Sequence, residues 1–389
     1  MSGGLGHRQC SVLAGGEAMT NRPGRPRPGS RQLPMFATCA QGISRLLQRQ
    51  LAAADSIDVT GSGFDGRSDI VFFDTDRAGR IIALRSRLAE DVFAEIGRAS
   101  RGARASRGTR ESRSGVAPAG RAAGAGAVAS MTWQPRAVER ALSVWADEGR
   151  QLSGSMTYRV TAQVRVDARV QRLDLRRAMA AVIGADKPRW KFADPAQLDF
   201  QVSEWHDGQY VAGLRISETR QQPGLSGALP ATVAAAMVQL AGDPAAISPA
   251  SPGRVLLDPC CGAGTILAEA AAAGWLAEGS DIDPAAVDTA SGAAAGVPVQ
   301  PGDARDLLLA DDCVGACVTW LPGRPPESWP AFAGAVLAEL SRVTRSRGRV
   351  VLLSPGLPRS AIPAALRLRR QIPIQLLGTR QSIWVFHRA

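Results

Sequence analysis

Lysine is almost absent from this chain. Of its 46 basic residues only Lys187 and Lys191 are lysines, and the rest are arginines. Beside so much Ala, Gly and Pro, that imbalance reads as a compositional bias. The net charge of +11 is therefore not by itself the footprint of a nucleic-acid partner. Histidine is scarcer still: His7, His206 and His387 are too few and too scattered for a zinc site or a Ser-His-Asp arrangement, and no metal is expected. The six cysteines (Cys10, Cys39, Cys260, Cys261, Cys313 and Cys317) form no CxxC pair and do not read as a disulfide framework. A reducing, cytoplasmic setting is expected. No apolar run approaches the roughly 18 residues that a membrane span needs. The opening residues lack the apolar core and cleavage site of a secretory leader. Nothing in the sequence speaks to the oligomeric state.

The charge that is present is unevenly placed. Residues 1–34 hold five arginines against Glu17, and residues 98–121 hold seven against Glu111. Both stretches are rich in Gly, Ser, Ala and Pro, without an apolar period. They are expected to be disordered: a basic tail over 1–34 and an Arg-rich insertion over about 98–129. Arg98 to Arg113, at three-residue spacing, read first as a composition-driven linker and second as an RNA contact.

Between and around these segments, residues 35–218 read as a small α+β unit. Met35 opens a short strand followed by a helix with Ile43, Leu46, Leu47 and Leu51 at helical spacing. Asp69–Thr75 and Ile81–Ser86 read as strands joined by a turn. A helix is expected over Gln134–Ala146, a strand over Met156–Val166, and a helix along "RLDLRRAMAAVIGA". "LDFQVSEW" and "QYVAGLRISE" form a hairpin around "HDG", where His206 belongs to the turn. From Ala228 an Ala-rich helix leads into regular alternation. Strands are expected at Val255–Asp258, Leu276–Asp281, Val297–Gln300, Ala316–Trp320 and Arg349–Leu353, then a closing pair at Ile372–Leu377 and Ser382–His387. Alternation implies a mostly parallel sheet with helices on both faces. With a terminal antiparallel hairpin, this is the Rossmann-like α/β architecture of class I methyltransferases.

The chemistry is concentrated in "VLLDPCCGAGTILAEA", Val255 to Ala270. A strand ends at Asp258, a tight loop runs through Pro259, Cys260, Gly262 and Gly264, and a helix starts at Thr265. Its free N–H groups and positive dipole end face whatever the loop holds. A Gly-x-Gly turn alone serves NAD, packing or many ligands. Asp258 narrows the choice, because a carboxylate repels a pyrophosphate and suits a cation. S-adenosylmethionine (SAM) carries a sulfonium and an ammonium, which favours it over NAD. Asp281 ends the second strand, where an acidic residue meets ribose hydroxyls in such folds. Asp303, followed by Ala304, ends the third and is placed to accept from the adenine amine. Asp283 reads as a helix cap. Each is ordinary alone; acidic residues at three successive strand ends, in order, point to one cofactor pocket. Cys260 and Cys261 read as small packing residues rather than nucleophiles.

"LDPCCGAGTILAEA", "GSDIDPAAV" and "GDARDL" resemble the THUMP-associated SAM-dependent RNA methyltransferases, which methylate the exocyclic amine of guanosine in tRNA. The resemblance extends over nearly everything from Met35. "FATCAQGISRLL", "TGSGFDGRSDIVFF" and "LAEDVFAEIGRA" are similar to the family's ferredoxin-like and THUMP region. "RWKFADPAQLDFQV", "VAGLRISETR" and "GALPATVAAAMVQLA" are similar to the joining segment. The resemblance implies an RNA-binding region over 35–218 that grips the acceptor end of tRNA. It implies a catalytic domain over 219–389, including the lead-in helix, that transfers the methyl group.

The resemblance also implies an Asn/Asp-x-Pro-aromatic loop after the fourth strand. There a polar side chain and a backbone carbonyl accept from the base's amine, and the aromatic stacks on the flipped base. Here the loop is "CVTWLPGRPPESW". Trp320 occupies the Asn position, and no aromatic stands between Pro322 and Gly323. Thr319 is the only hydroxyl nearby. Thr319, Trp320, Leu321 and Pro322 are the candidate catalytic positions, with Trp320 or Trp329 as stacking rings and Arg324 as a phosphate contact. Three functions stay open: a tRNA (guanine-N2)-methyltransferase, a catalytically impaired relative that binds SAM and RNA, and a methyltransferase with a different acceptor.

Overall fold

The computed structural model describes residues 32–100, 118–166, 168–218, 228–248, 251–321, 327–376 and 378–389. The first strand, β1 (Leu33–Cys39), and α1 (Ser44–Ala52) lead into β2 (Ile57–Phe64), β3 (Asp69–Thr75), α2 (Arg77–Arg85) and β4 (Asp91–Ser100). The four strands lie in the order β2-β3-β1-β4 and pair antiparallel. This is the ferredoxin-like succession. The expected strand over Ile81–Ser86 is instead α2. Asp76 caps it by accepting from Gly79 N at 2.9 Å, and the fold needs a crossover there to return β4 beside β1.

The chain then adds α3 (Pro118–Thr132), α4 (Pro135–Asp147), β5 (Thr157–Gln163), α5 (Arg172–Asp186), β6 (Lys191–Phe192), β7 (Leu198–His206) and β8 (Gln209–Arg215). β8 pairs with β4, so the sheet has eight strands, β2-β3-β1-β4-β8-β7-β5-β6. The expected disordered insertion over 98–129 is overturned at both ends. Residues 98–100 still belong to β4, and 118–132 form α3. The reason is burial of small side chains: Ala125, Val128 and Ala129 are sealed in the core, and Ala and Gly let α3 pack closely against α5 and β4. Residues 101–117, and the basic tail over 1–31, lie outside the described residues. The sheet rolls until its first strand meets its later ones. Gly63 lies against Trp205, and Ser203 Oγ donates to Asp65 at 3.4 Å. Phe36, Phe72 and Phe93 fill the inside of the roll, Phe36 stacked on Phe93 at 4.8 Å.

The second sheet begins after α6 (Ala231–Ala241). It comprises β9 (Val255–Asp258), α7 (Thr265–Ala272), β10 (Leu276–Asp281), α8 (Pro284–Ala293), β11 (Val299–Pro301), β12 (Val314–Trp320), α9 (Trp329–Val343), β13 (Thr344–Ser354), β14 (Leu366–Leu376) and β15 (Thr379–Arg388). The strand order is β11-β10-β9-β12-β13-β15-β14. β11, β10, β9, β12 and β13 pair parallel, and β15 inserts antiparallel between β13 and β14. This is the expected Rossmann-like methyltransferase sheet with its terminal hairpin. The order switches direction at β9 and β12, so the crevice outside their carboxyl ends is where a ligand belongs. The nearly all-apolar α6 is buried except at Ala231 and Gln239, because it packs on α7, β12 and β13 and its side chains belong to the same core as the first sheet. Arg87, just after α2, holds Glu269 of α7 with two hydrogen bonds, tying the two regions together. Among the described residues no helix is long and apolar enough to cross a membrane.

Candidate functional site

β9 delivers Asp258 to the crevice because Leu256 and Leu257 are buried in the sheet, leaving the next side chain at the strand's open end. The chain then turns. Cys261 N donates to Ser280 O at 3.0 Å and Gly264 N to Cys261 O at 2.8 Å, pinning the loop to the neighbouring strand. Gly262 has φ +52°, and a Cβ there would meet nothing within 4 Å, so the loop backbone faces open space. Gly264 serves otherwise. Its φ is +78°, and a Cβ would approach Ala290 Cα to 2.9 Å, so its bare backbone lets α7 start hard against α8.

A cavity of about 360 Å³ opens at this loop. Asp258, Cys260 and Gly262 line it, with Leu229 from the lead-in to α6, Asp283 and Thr289 from α8, and Trp320 at the end of β12. Asp258 is fully buried. One carboxylate oxygen accepts from Cys260 N at 3.3 Å, while Oδ2 has no partner among the described residues. Burial pushes its pKa up to about 7, opposed by the nearby Thr319 hydroxyl and the Cys260 N–H, and helped by Asp281. The hydroxyl of Thr319 is itself buried and makes no hydrogen bond of proper geometry. An orphaned carboxylate oxygen on a residue that lines a cavity calls for a cation with N–H donors. The ammonium of SAM is such a group, so these residues fit that cofactor. Burial, then Asp258 and Asp281, raise both loop thiols, Cys261 to about 12. Neither is a thiolate near neutral pH, so neither is a nucleophile.

The remaining sequence candidates separate. Asp281 is drawn inward: Oδ2 accepts from Gly262 N at 2.9 Å and Oδ1 from Asp283 N at 3.0 Å. It therefore braces the loop against the β10–α8 turn. Asp283 caps α8 through Ala285 N at 3.0 Å and also lines the cavity. Asp303 borders a separate cavity of about 690 Å³ beyond β10, with Ser280 and Asp306. Arg305 grips its carboxylate, Nε approaching both oxygens at 2.9 and 3.0 Å. Pro259 and Ala304 are buried and line neither cavity. The single pocket expected of Asp258, Gly262, Gly264, Asp281 and Asp303 is thus two cavities, with Asp281 bracing the loop between β9 and β10.

Of the catalytic candidates, only Trp320 lines the first cavity. Thr319 and Leu321 are fully buried, and Pro322 and Arg324 lie outside the described residues. Trp320 Nε1 donates to Gln381 Oε1 at 3.1 Å, which sets the indole's orientation from β15. Trp329 is placed differently: it starts α9, donates to Gly356 O at 2.9 Å and leans on Phe332. Gln381 carried no signal in the sequence, because its partner is 61 positions away and meets it only where β13 and β15 bring β12 and the hairpin together. Among the described residues no group of three or more His, Cys, Asp or Glu side chains could hold a metal ion.

The parallel order with its terminal hairpin, and the cavity at the switch point, define a Rossmann-like methyltransferase fold in the C-terminal region. Comparison with known proteins gives the same class. Residues 219–369 match the family described as UPF0020: RMKL-like, methyltransferase domain. SAM is the expected cofactor of such a domain. The fold is similar to that of TrmN from Thermus thermophilus, at TM-score 0.62 and 20% identity, covering 92% of this chain and 100% of that one. It is similar to a possible methylase from Clostridium difficile 630 (TM-score 0.60, 14% identity, 92% and 99% covered). It is also similar to a predicted N6-adenine-specific DNA methylase from Listeria monocytogenes (TM-score 0.57, 14% identity, 92% and 96% covered). Among curated proteins, none matches the chain by sequence.

Proposed function

We propose that this chain is a SAM-dependent RNA methyltransferase that acts on the exocyclic N2 amine of guanosine in tRNA. The observation that carries the reading is the unpartnered, buried oxygen of Asp258, a residue that lines a cavity together with Trp320. The fold likeness over 92% of the chain to TrmN supports a shared arrangement of both regions. On this reading residues 35–218 are the ferredoxin-like and THUMP RNA-binding region, and 219–389 the catalytic domain.

When bound, SAM supplies an electrophilic methyl group on a sulfonium. Asp258 would receive the ammonium, with Gly262 leaving the loop backbone clear. Asp281 would offer its remaining lone pairs to the ribose hydroxyls, and Asp303, shared with Arg305, would hold the adenine amine. The indole of Trp320 offers a stacking face, but its N–H is a donor already given to Gln381. The guanine amine, a weak nucleophile whose lone pair is delocalised, must therefore find its acceptors in backbone carbonyls from Trp320 to Pro322. Thr319 is too buried to reach a base and acts on Asp258 instead. Orientation and a dry site supply the catalysis. The test is transfer of labelled methyl from SAM to a tRNA transcript, with mass spectrometry of nucleosides from a deletion strain. Loss of one methylguanosine is expected. Unchanged RNA nucleosides, with SAM binding intact, would overturn the reading in favour of an impaired binding relative or another acceptor.

A further inference from the structure

The connection between β11 and β12, residues 302–313, has no helix or strand of its own. Its backbone groups must find partners elsewhere. It carries Asp303, and it supplies Leu307, Leu308 and Leu309 to the cavity of about 690 Å³. Two anchors flank the Asp303 turn. Before it, Gly302 N donates to Asp281 O at 2.9 Å. After it, Leu307 N donates to Glu339 Oε2 at 2.7 Å, near the end of α9. Arg342, also on α9, completes the second anchor. Its Nε and Nη2 donate to the two oxygens of Glu339 at 2.9 and 2.7 Å. Nη2 also donates to Leu307 O at 2.9 Å, and Nη1 donates to Leu309 O at 2.7 Å and to Asp311 Oδ1 at 2.8 Å. Asp312 N donates back to Arg342 O at 3.0 Å. The guanidinium holds the Glu339 carboxyl below its ordinary range, so the pair is charged at neutral pH.

An arginine in the last turn of a helix is ordinary, because it meets the negative end of the dipole. That does not explain a guanidinium whose donors go to carbonyls 33 and 35 positions back in the chain. Inside the anchored turn, Asp306 N donates to Asp303 O at 3.0 Å and Arg305 N to Asp303 Oδ1 at 2.9 Å. With Gly302 and Leu307 both fixed, the Asp303 carboxylate has little freedom. Ser280 lines the same cavity, and its buried Oγ has no partner among the described residues, as in a site that takes a polar ligand. We propose that Glu339 and Arg342 are positioning residues for the cofactor, holding the loop after β11 so that Asp303 meets the adenine amine. The proposal rests on the SAM reading of Asp303 given above.

The experiment is calorimetry on the full chain with S-adenosylhomocysteine and with its analogue that has unsubstituted purine in place of adenine. The parent should prefer the adenine compound by roughly tenfold or more, the usual effect of a hydrogen bond to a charged group. In Arg342→Gln and in Asp303→Ala that preference should fall to within about twofold of equality, and the double variant should lose no more than either alone. In turnover, Arg342→Gln should raise KM for SAM roughly tenfold and leave kcat within about twofold of the parent. Val336→Ala is the control, since Val336 is buried in the α9 core and takes no part in the clamp. It should lower the melting temperature and keep the preference. If Arg342→Gln loses its melting transition, Arg342→Lys is measured instead. A single ammonium reaches fewer of the acceptors, so part of the preference should go. A preference unchanged in the Arg342 variants, or lost equally in Val336→Ala, would overturn the clamp. A parent that binds neither compound would overturn both the clamp and the SAM reading. The clamp and the enzymatic reading otherwise fail separately. A parent that shows the preference, loses it with Arg342 and methylates no RNA keeps the clamp and removes the enzyme. Methyl transfer to tRNA by a parent with no preference for adenine does the reverse.

Discussion

On one side of the methyltransferase sheet, from Asp258 to Asp312 around β9, β10 and β11, the chain places ten carboxylates and a single base, Arg305. On the other side, from Leu340 through β13, β14 and β15, it places ten arginines and no carboxylate. The two sides also differ in depth. Asp258, one of two acidic residues lining the cavity, is fully buried with one oxygen unpaired, whereas Arg367, Arg369 and Arg380 are exposed. A small cation is held by few charges taken out of water, each strong because it is desolvated. A polyanion is held by many solvated charges, each weak and screened by salt. The two sides of the sheet therefore differ in sign and in solvation, and the acidic side carries the buried, unpaired charge at the cavity.

The comparison is broken most directly at Asp258. Asp258→Asn removes the ion that faces the cavity and should weaken SAM binding by roughly 100-fold, in keeping with the loss of a buried charge partner. The same change should raise the stability of the ligand-free protein at pH 8 by about 2 kcal/mol or more. The sign follows from linkage. The folded pKa, about 7, lies above the ordinary carboxylate value, so the folded state holds the proton more tightly than the unfolded chain. Stability is lost as pH rises from about 4 to 7, and the asparagine escapes that loss. SAM needs the ionised form, so parental affinity should fall about tenfold per pH unit below 7, and the asparagine variant should show no such dependence. Calorimetry and thermal melts across pH 5.5–8.5, as an approximate window around that pKa, measure both.

Gly264→Ala tests whether the acidic side is held by packing. The added Cβ meets Ala290 and forces a left-handed backbone on alanine, costing about 2–4 kcal/mol in denaturant melts. Gln381→Leu, on the basic side, leaves the Trp320 N–H without its acceptor and should cost about 1–2 kcal/mol. Its second expected effect is a raised KM for RNA with the pH dependence of SAM binding unaltered. Arg367→Gln should do least. Stability should stay within about 0.5 kcal/mol of the parent and SAM affinity should not move. A large change in either would mean that the basic side supports the fold rather than a partner.

Much of this arrangement was legible beforehand, and for identifiable reasons. β9 was read to the residue because a short apolar run stops at Asp258, and the burial that makes a strand and the polarity that ends it are local; β10, LAEGSD, has no such run, and Asp281 alone marks its end. The boundaries of β13, β14 and β15 were read too short: Arg345 and Arg347 break the apolar pattern at the start of β13, and the first half of β14, with Arg367, Leu368 and Arg369 exposed, shows no buried alternation. Ile81–Ser86 was misread because an apolar doublet suits a strand as well as a helix. The Asp76 cap and the need for a crossover decide for α2. α3 was missed because Ala and Gly carry almost no apolar period, yet Val128 and Ala129 have no exposed surface.

By itself the sequence determined the alternating α/β order, the hairpin that closes it, and the succession of acidic residues at strand ends. These follow from periodicity and from which side chains tolerate burial, and both are written along the chain. Only the tertiary structure decided what those acids do. It left one oxygen of Asp258 unpaired beside a cavity, turned Asp281 onto Gly262 N, gave Asp303 to Arg305, and buried Thr319 below the site it was expected to enter. It also set Gln381 against Trp320. The physical reason is that hydrogen-bond partnership and desolvation depend on neighbours from distant strands, and a sequence specifies those neighbours only through the completed fold.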